Sequence, residues 1–198
     1  MADGNPKDLF EWVKPLSIND KIREALNPVK CLTEAAQIRT QADRISAAAR
    51  ELAVGEKETA SVMSALHRVK GTFEPMEGGY RGICGMLAGL ANKELAANYT
   101  LTMPAGRLYA VAHFWRSRVL ADMLAASSYY KVTAELISLA MKTLEKCSSS
   151  MKAGEIVLLL NHASALLVDA ATSMGTAGAE LGDNDVRWKN LEDAAKQL

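Results

Sequence analysis

The stretch "EGGYRGICGMLAGL", Glu77 to Leu90, carries five glycines: Gly78, Gly79, Gly82, Gly85 and Gly89. Glycines gather either to cradle a phosphate or to bare a helix surface. A phosphate loop of the Walker type needs G-x-x-x-x-G-K-[ST], and no lysine follows any of these glycines. A dinucleotide fingerprint needs G-x-G-x-x-G between a strand and a helix, and neither the spacing nor a preceding strand is present. Gly82, Gly85 and Gly89 are three and four residues apart, so they share one face of a helix, with Ala88 beside it. A face without side chains lets a neighbouring backbone approach closely. Each interior glycine costs a helix about 0.5–1 kcal/mol relative to alanine, which close packing must offset. The expectation is a helix-packing face at Gly82, Gly85 and Gly89. A small anion-binding loop at Gly78-Gly79, opening that helix, is the competing one.

Outward from this stretch the chain reads as helix almost throughout. Asn27-Pro28 sets a capping side chain before a proline suited to a first turn, and Asn5-Pro6 repeats the pattern. Ser17 and Asp20 precede Ile18, Ile22 and Leu26, which recur every four residues. Val29, Leu32, Ala36, Ala42, Ile45, Ala49 and Leu52 form a helical stripe that Gly55 stops. Val62, Met63, Leu66 and Val69 form the next, with Gly71 as its end. Pro104 opens a helix reaching about Lys146, with a break expected near "ASSYY" (residues 126–130). Ser148 to Ser150 separates it from a helix that Gly175 ends, apolar on nearly every face and so expected at the centre. No alternating segment with hairpin turns suggests a strand. The predicted fold is all-α, a single helical bundle of about six or seven helices over 1–198. An arm of short helices occupies 1–27, the bundle 28–175, and an amphipathic C-terminal helix 183–198.

Composition limits the partners. The chain has 198 residues, 49% of them apolar, and its 23 basic and 23 acidic residues cancel. A globally basic nucleic-acid binder is disfavoured. Cys31, Cys84 and Cys147 are widely spaced, which suits reduced thiols rather than a disulfide framework or zinc site. The N-terminal residues lack the order of a signal peptide, and the longest strictly apolar run, Ile156 to Leu160, is far short of a membrane span. A cytoplasmic protein is expected, in the host cytoplasm if it is viral, with no membrane span.

Catalytic and metal chemistries find little support. None of the histidines follows a glutamate by three residues, as a di-iron bundle would need. Glu155, His162 and Asp169 recur by sevens, so about 10.5 Å separates successive groups along the helix and they cannot share one metal. Asn161, His162 and Asp169 are read instead as a buried polar cluster satisfied by neighbouring helices. No nucleophile elbow or cysteine–histidine pattern is present, so no catalytic residue, metal or cofactor is assigned. His67 reads as a surface or boundary residue.

One window is free of acidic residues, between Glu94 and Asp122. Arg107, Arg116, Tyr109 and His113 within it are candidate phosphate or nucleic-acid contacts. Arg118 is expected to pair with Asp122 four residues on. Phe10, Trp12, Trp188 and Leu191 lie on short terminal helices and are candidate association anchors. The function expected first is non-enzymatic: self-association or docking of a protein partner, in a structural or adaptor role. The alternatives are a helical viral coat or nucleoprotein contacting single-stranded nucleic acid, and a helical enzyme or ligand carrier with a pocket near Asn161 and His162.

Overall fold

The structure, a computed structural model, describes residues 20–100 and 107–197, all helical apart from short connections and without a strand among them. The elements are α1 (Asp20–Ala25), α2 (Pro28–Ala53), α3 (Thr59–Thr100), α4 (Arg107–Glu145), α5 (Ala153–Glu180) and α6 (Asn184–Lys196). Phe10 and Trp12 lie outside the described residues, as do Asn5-Pro6, Ser17 and Pro104.

Local chemistry sets most boundaries. Asn27 caps α2, its Oδ1 accepting from the amides of Val29 (2.9 Å) and Lys30 (3.3 Å), with Pro28 in the first turn. Gly55, at φ +75°, turns the chain out of α2. The serine-rich link before α5 is closed by Glu155, whose carboxylate accepts from the Lys152 amide at 3.1 Å.

Several expected stops are absent. Gly71 does not end a helix: α3 runs unbroken through Gly71 and Pro75. Proline removes one ladder bond, to the carbonyl of residue 71, but both residues are exposed and water can serve that carbonyl. Phe73 and Tyr80, buried on the other side, hold the two halves in one line. "ASSYY" does not break α4 either. Ser127 Oγ donates to the Cys84 carbonyl of α3 (3.0 Å) and Ser128 Oγ to Leu124 O (3.1 Å), so both hydroxyls are satisfied inside a helix. Gly175 likewise lies within α5, which continues to Glu180.

The helices bury one stripe each. In α2 the buried residues are Cys31, Ile38, Ala42, Ile45, Ala49 and Leu52. Val29, Leu32 and Ala36, expected on that stripe, are exposed. The seven-residue period extends back from Ala42 through Ile38 to Cys31, a small apolar side chain here. α5 buries Ile156, Leu160, Ala163, Leu167, Ala170, Met174 and Ala177. Its most extensive contact is with α2, and it also packs along α4, which in turn packs along α3 and against α6. α2 and α3 barely touch. α5 is therefore not surrounded, and Leu158, on its outer side, is 71% exposed. By length and composition alone, Ala153–Lys196 is apolar enough to cross a membrane, which its short strictly apolar run conceals. A core helix passes the same test, so this is weak evidence of a membrane.

Candidate functional site

The glycines of α3 do not pack within the chain. Gly82, Gly85 and Gly89 are exposed, and a Cβ added at any of them would meet nothing within 4 Å. The same holds for Gly71, Gly78 and Gly79. The expected intrachain packing face is thus corrected to an outward one. Nor do Gly78 and Gly79 open a helix: they are mid-helical, their amides engaged in the ladder, so the anion-loop reading falls too. Residues 71, 75, 78, 82, 85 and 89 alternate steps of four and three, so Gly71, Pro75 and the later glycines form one continuous outward stripe. Close approach of helices occurs elsewhere, at Gly178. A Cβ there would lie 2.9 Å from Leu32 Cγ and 3.0 Å from the Pro28 carbonyl oxygen.

Among the described residues of the acid-free window, one of the three arginines, Arg116, is withdrawn from the surface. Arg116 is 6% exposed and pairs with Glu94 of α3. Burial pulls its guanidinium down from the ordinary value while Glu94 opposes that shift. A buried, neutralised arginine is not a phosphate contact, and the sequence placed it wrongly on a solvated flank. Tyr109 packs with Ala112 of α4 against Ala194 and Ala195 of α6. His113 is half-buried, and Arg107 is exposed. Arg118 does not form the expected ion pair with Asp122; it lies over the Phe114 ring, 5.8 Å from the centroid. The partner of Asp122 is Arg187 of α6.

That second pair belongs to a network pinning α6 to α4. With the Asn184 amide nitrogen directed at Asp122 Oδ2 (3.1 Å), its oxygen accepts from Trp188 Nε1 (3.2 Å). Tyr129 donates to Glu180 Oε1 at 3.1 Å. Leu191 is buried against the core, so it is an anchor within its own chain rather than an association residue. Trp188 is half-buried and lines a half-open cleft of about 520 Å³ between α1 and α6, with Arg23, Asn27 and Lys189.

Asn161, His162 and Asp169 are all exposed, as is Glu155. The buried polar cluster expected there is the outer face of α5. Spacing by sevens marks a shared face but not which side of the helix it occupies. Here the charged side chains turn outward because the opposite stripe is apolar but for Ser164, whose hydroxyl donates to the Ala42 carbonyl of α2 at 2.9 Å. His67 is exposed.

The polar cluster actually buried was missed. It joins Cys31 and Glu34 of α2, Tyr80 of α3 and Tyr130 of α4 beneath the end of α1. The Tyr130 hydroxyl donates to the Ala25 carbonyl at 3.1 Å, and Cys31 Sγ lies 3.8 Å from the same oxygen. The Tyr80 and Tyr130 rings are tilted at 5.5 Å between centroids. Glu34 Oε2 and the Tyr80 hydroxyl influence each other's ionisation, yet among the described residues neither atom has a well-formed hydrogen bond. Burial raises the Glu34 carboxyl above its ordinary value, opposed by Lys30, which sits 3.9 Å away and also bridges Glu24 of α1 at 2.6 Å. Burial raises the Cys31 thiol as well, so it is held as the inert thiol and not the thiolate. The cluster's contacts with α1, from Tyr130 and Cys31 to the Ala25 carbonyl and from Lys30 to Glu24, tie the end of that helix to α2 and α4. No local motif could reveal it, because its members come from separate helices.

Among the described residues, no three His, Cys, Asp or Glu side chains are gathered to hold a metal. Compared with protein families, curated proteins and solved structures, the chain matches none.

Proposed function

We propose that the chain is a non-enzymatic helical protein, its helices forming a single bundle, that acts by associating with copies of itself. The observation that supports this is the outward glycine stripe of α3. The five glycines of the stripe, Gly71, Gly78, Gly82, Gly85 and Gly89, cost the helix roughly 2.5–5 kcal/mol in propensity, using 0.5–1 kcal/mol each. Folded proteins retain only about 5–15 kcal/mol in total, so such a loss is large. Nothing within the chain approaches these positions to offset it. A second helix laid along the stripe would, since glycines at alternating steps of four and three allow close backbone approach over several turns.

The test is the native mass of the full chain by sedimentation, compared with Gly85→Leu and Gly82→Leu. An oligomeric parent, with both variants reduced in mass but equally helical by circular dichroism, is the expected result. A parent that is monomeric at the highest concentration reached, or leucine variants of unchanged mass, would overturn the reading.

A further inference from the structure

A second outward face is built on α4, and it differs from the glycine stripe in carrying side chains. Phe114, Val132 and Leu139 are 52%, 44% and 50% exposed, far more than the core residues on the opposite side of the same helix. They fall on one series of alternating three- and four-residue steps from Phe114 to Leu139, a stripe about 37 Å long at 1.5 Å per residue. Arg118 and Glu135 are the charged members of this series, both exposed. Arg118 is held on the face by its contact with the Phe114 ring.

The order along the stripe selects its occupant. From one end it reads large apolar, positive, small; from the other, large apolar, negative, apolar. Two copies laid antiparallel, with a two-fold axis level with residues 126 and 127, set Phe114 against Leu139 and Arg118 against Glu135, each twice. Ala121 then faces Val132, and Ala125 faces Ser128, small side chains where the helices run closest. A parallel arrangement would place Arg118 against Arg118 and Glu135 against Glu135, which like charges disfavour. Beyond the stripe the match ends, for Val111 would face Lys142.

We infer that this face of α4 pairs with the same face of a second copy of the chain, antiparallel, through reciprocal Arg118–Glu135 contacts. A two-fold contact of this kind is isologous and saturates with one partner. The pairing rests on the self-association reading only in taking a second copy as occupant. Together with the α3 stripe it gives each chain two separate self-complementary faces, so the assembly grows beyond a dimer.

Charge reversal in the full chain tests it. Arg118→Glu and Glu135→Arg each place like charges at both reciprocal contacts and lower the native mass to that of the dimer held by the α3 stripe. The double variant, with both residues exchanged, restores the parent mass, because each chain again meets the opposite charge. Helical circular dichroism of each variant checks its folding. Single reversals that leave the mass unchanged, or a double variant that fails to restore it, would overturn the pairing. Gly85→Leu separates the two readings. If it alone lowers the mass, the glycine stripe associates and the α4 pairing is wrong; if only the charge reversals do, the α4 pairing stands and the glycine reading is wrong. A monomeric parent refutes both.

Discussion

Gly178 is where two helix backbones come closest, and Gly178→Ala measures what that approach is worth. The added methyl would sit 2.9 Å from Leu32 Cγ, 3.1 Å from Leu32 Cδ2 and 3.0 Å from the Pro28 carbonyl oxygen. Leu32 is 50% exposed and can swing outward. The Pro28 carbonyl cannot: it belongs to the first turn of α2, which the Asn27 side chain holds in place. Relief therefore requires α2 and α5 to separate by a few tenths of an ångström along the most extensive helix contact in the fold. Overpacking of this kind costs about 1–3 kcal/mol. The change also gains about 0.5–1 kcal/mol, because alanine favours helix over glycine. The net destabilisation is about 1 kcal/mol at the middle of these ranges, which span about 0–2.5 kcal/mol, or roughly 2–4 °C in Tm for a chain of this size. Gly85→Ala is the control: its methyl meets nothing, so at low protein concentration it should raise Tm slightly. Thermal unfolding followed by circular dichroism reads both. If Gly178→Ala melts at or above the parent, the α2–α5 contact yields freely and the steric argument is wrong.

Glu34→Gln removes a carboxyl that the fold holds above its ordinary value of 4.5, mainly by burial. A raised folded pKa means that stability is fully present below the ordinary value and is lost as pH rises through the raised one. The variant should therefore gain Tm over the parent at neutral pH and lose that advantage in acid; a gap independent of pH would refute the assignment. Arg116→Glu sets two carboxylates together where a buried ion pair stands, and should cost roughly 3 kcal/mol or more. A variant melting like the parent would mean that Arg116 is solvated after all.

The helical class was legible because periodicity and caps are local. Asn27, Pro28 and Gly55 act on the turn in which they sit, and the structure places them as their chemistry requires. Gly71 and Gly175 misled because a breaker's effect is not local: Phe73 and Tyr80 hold α3 straight from the far side, even through Pro75. The inside–outside assignments failed for a related reason. Period identifies a face, but partners decide which face is buried. Arg116 turned inward because Glu94 of another helix awaits it, while His162 and Asp169 turned outward because α2 and α4 cover the opposite stripe. The cluster of Cys31, Glu34, Tyr80 and Tyr130 had no signal, since its spacing exists only between helices.

The same logic bears on the two outward faces. A solvated helix surface is under no packing constraint, so regular spacing there needs a cause. In α3 the inward series through Val62, Leu66, Phe73, Tyr80 and Leu87 already satisfies the contact with α4. The outward series is just as regular yet made of glycine, the residue that most weakens a helix apart from proline, which also appears. Ordinary solvation would favour alanine, lysine or glutamate at such positions, each a better helix former and more soluble or cheaper in entropy. Regularity that costs stability in the single chain, repeated over several turns, is intelligible if the stabilising contact lies outside it. Fixing the lost propensity with Gly→Ala changes should then strengthen the isolated chain while Gly→Leu weakens the assembly, two opposite responses that no purely solvated face would give.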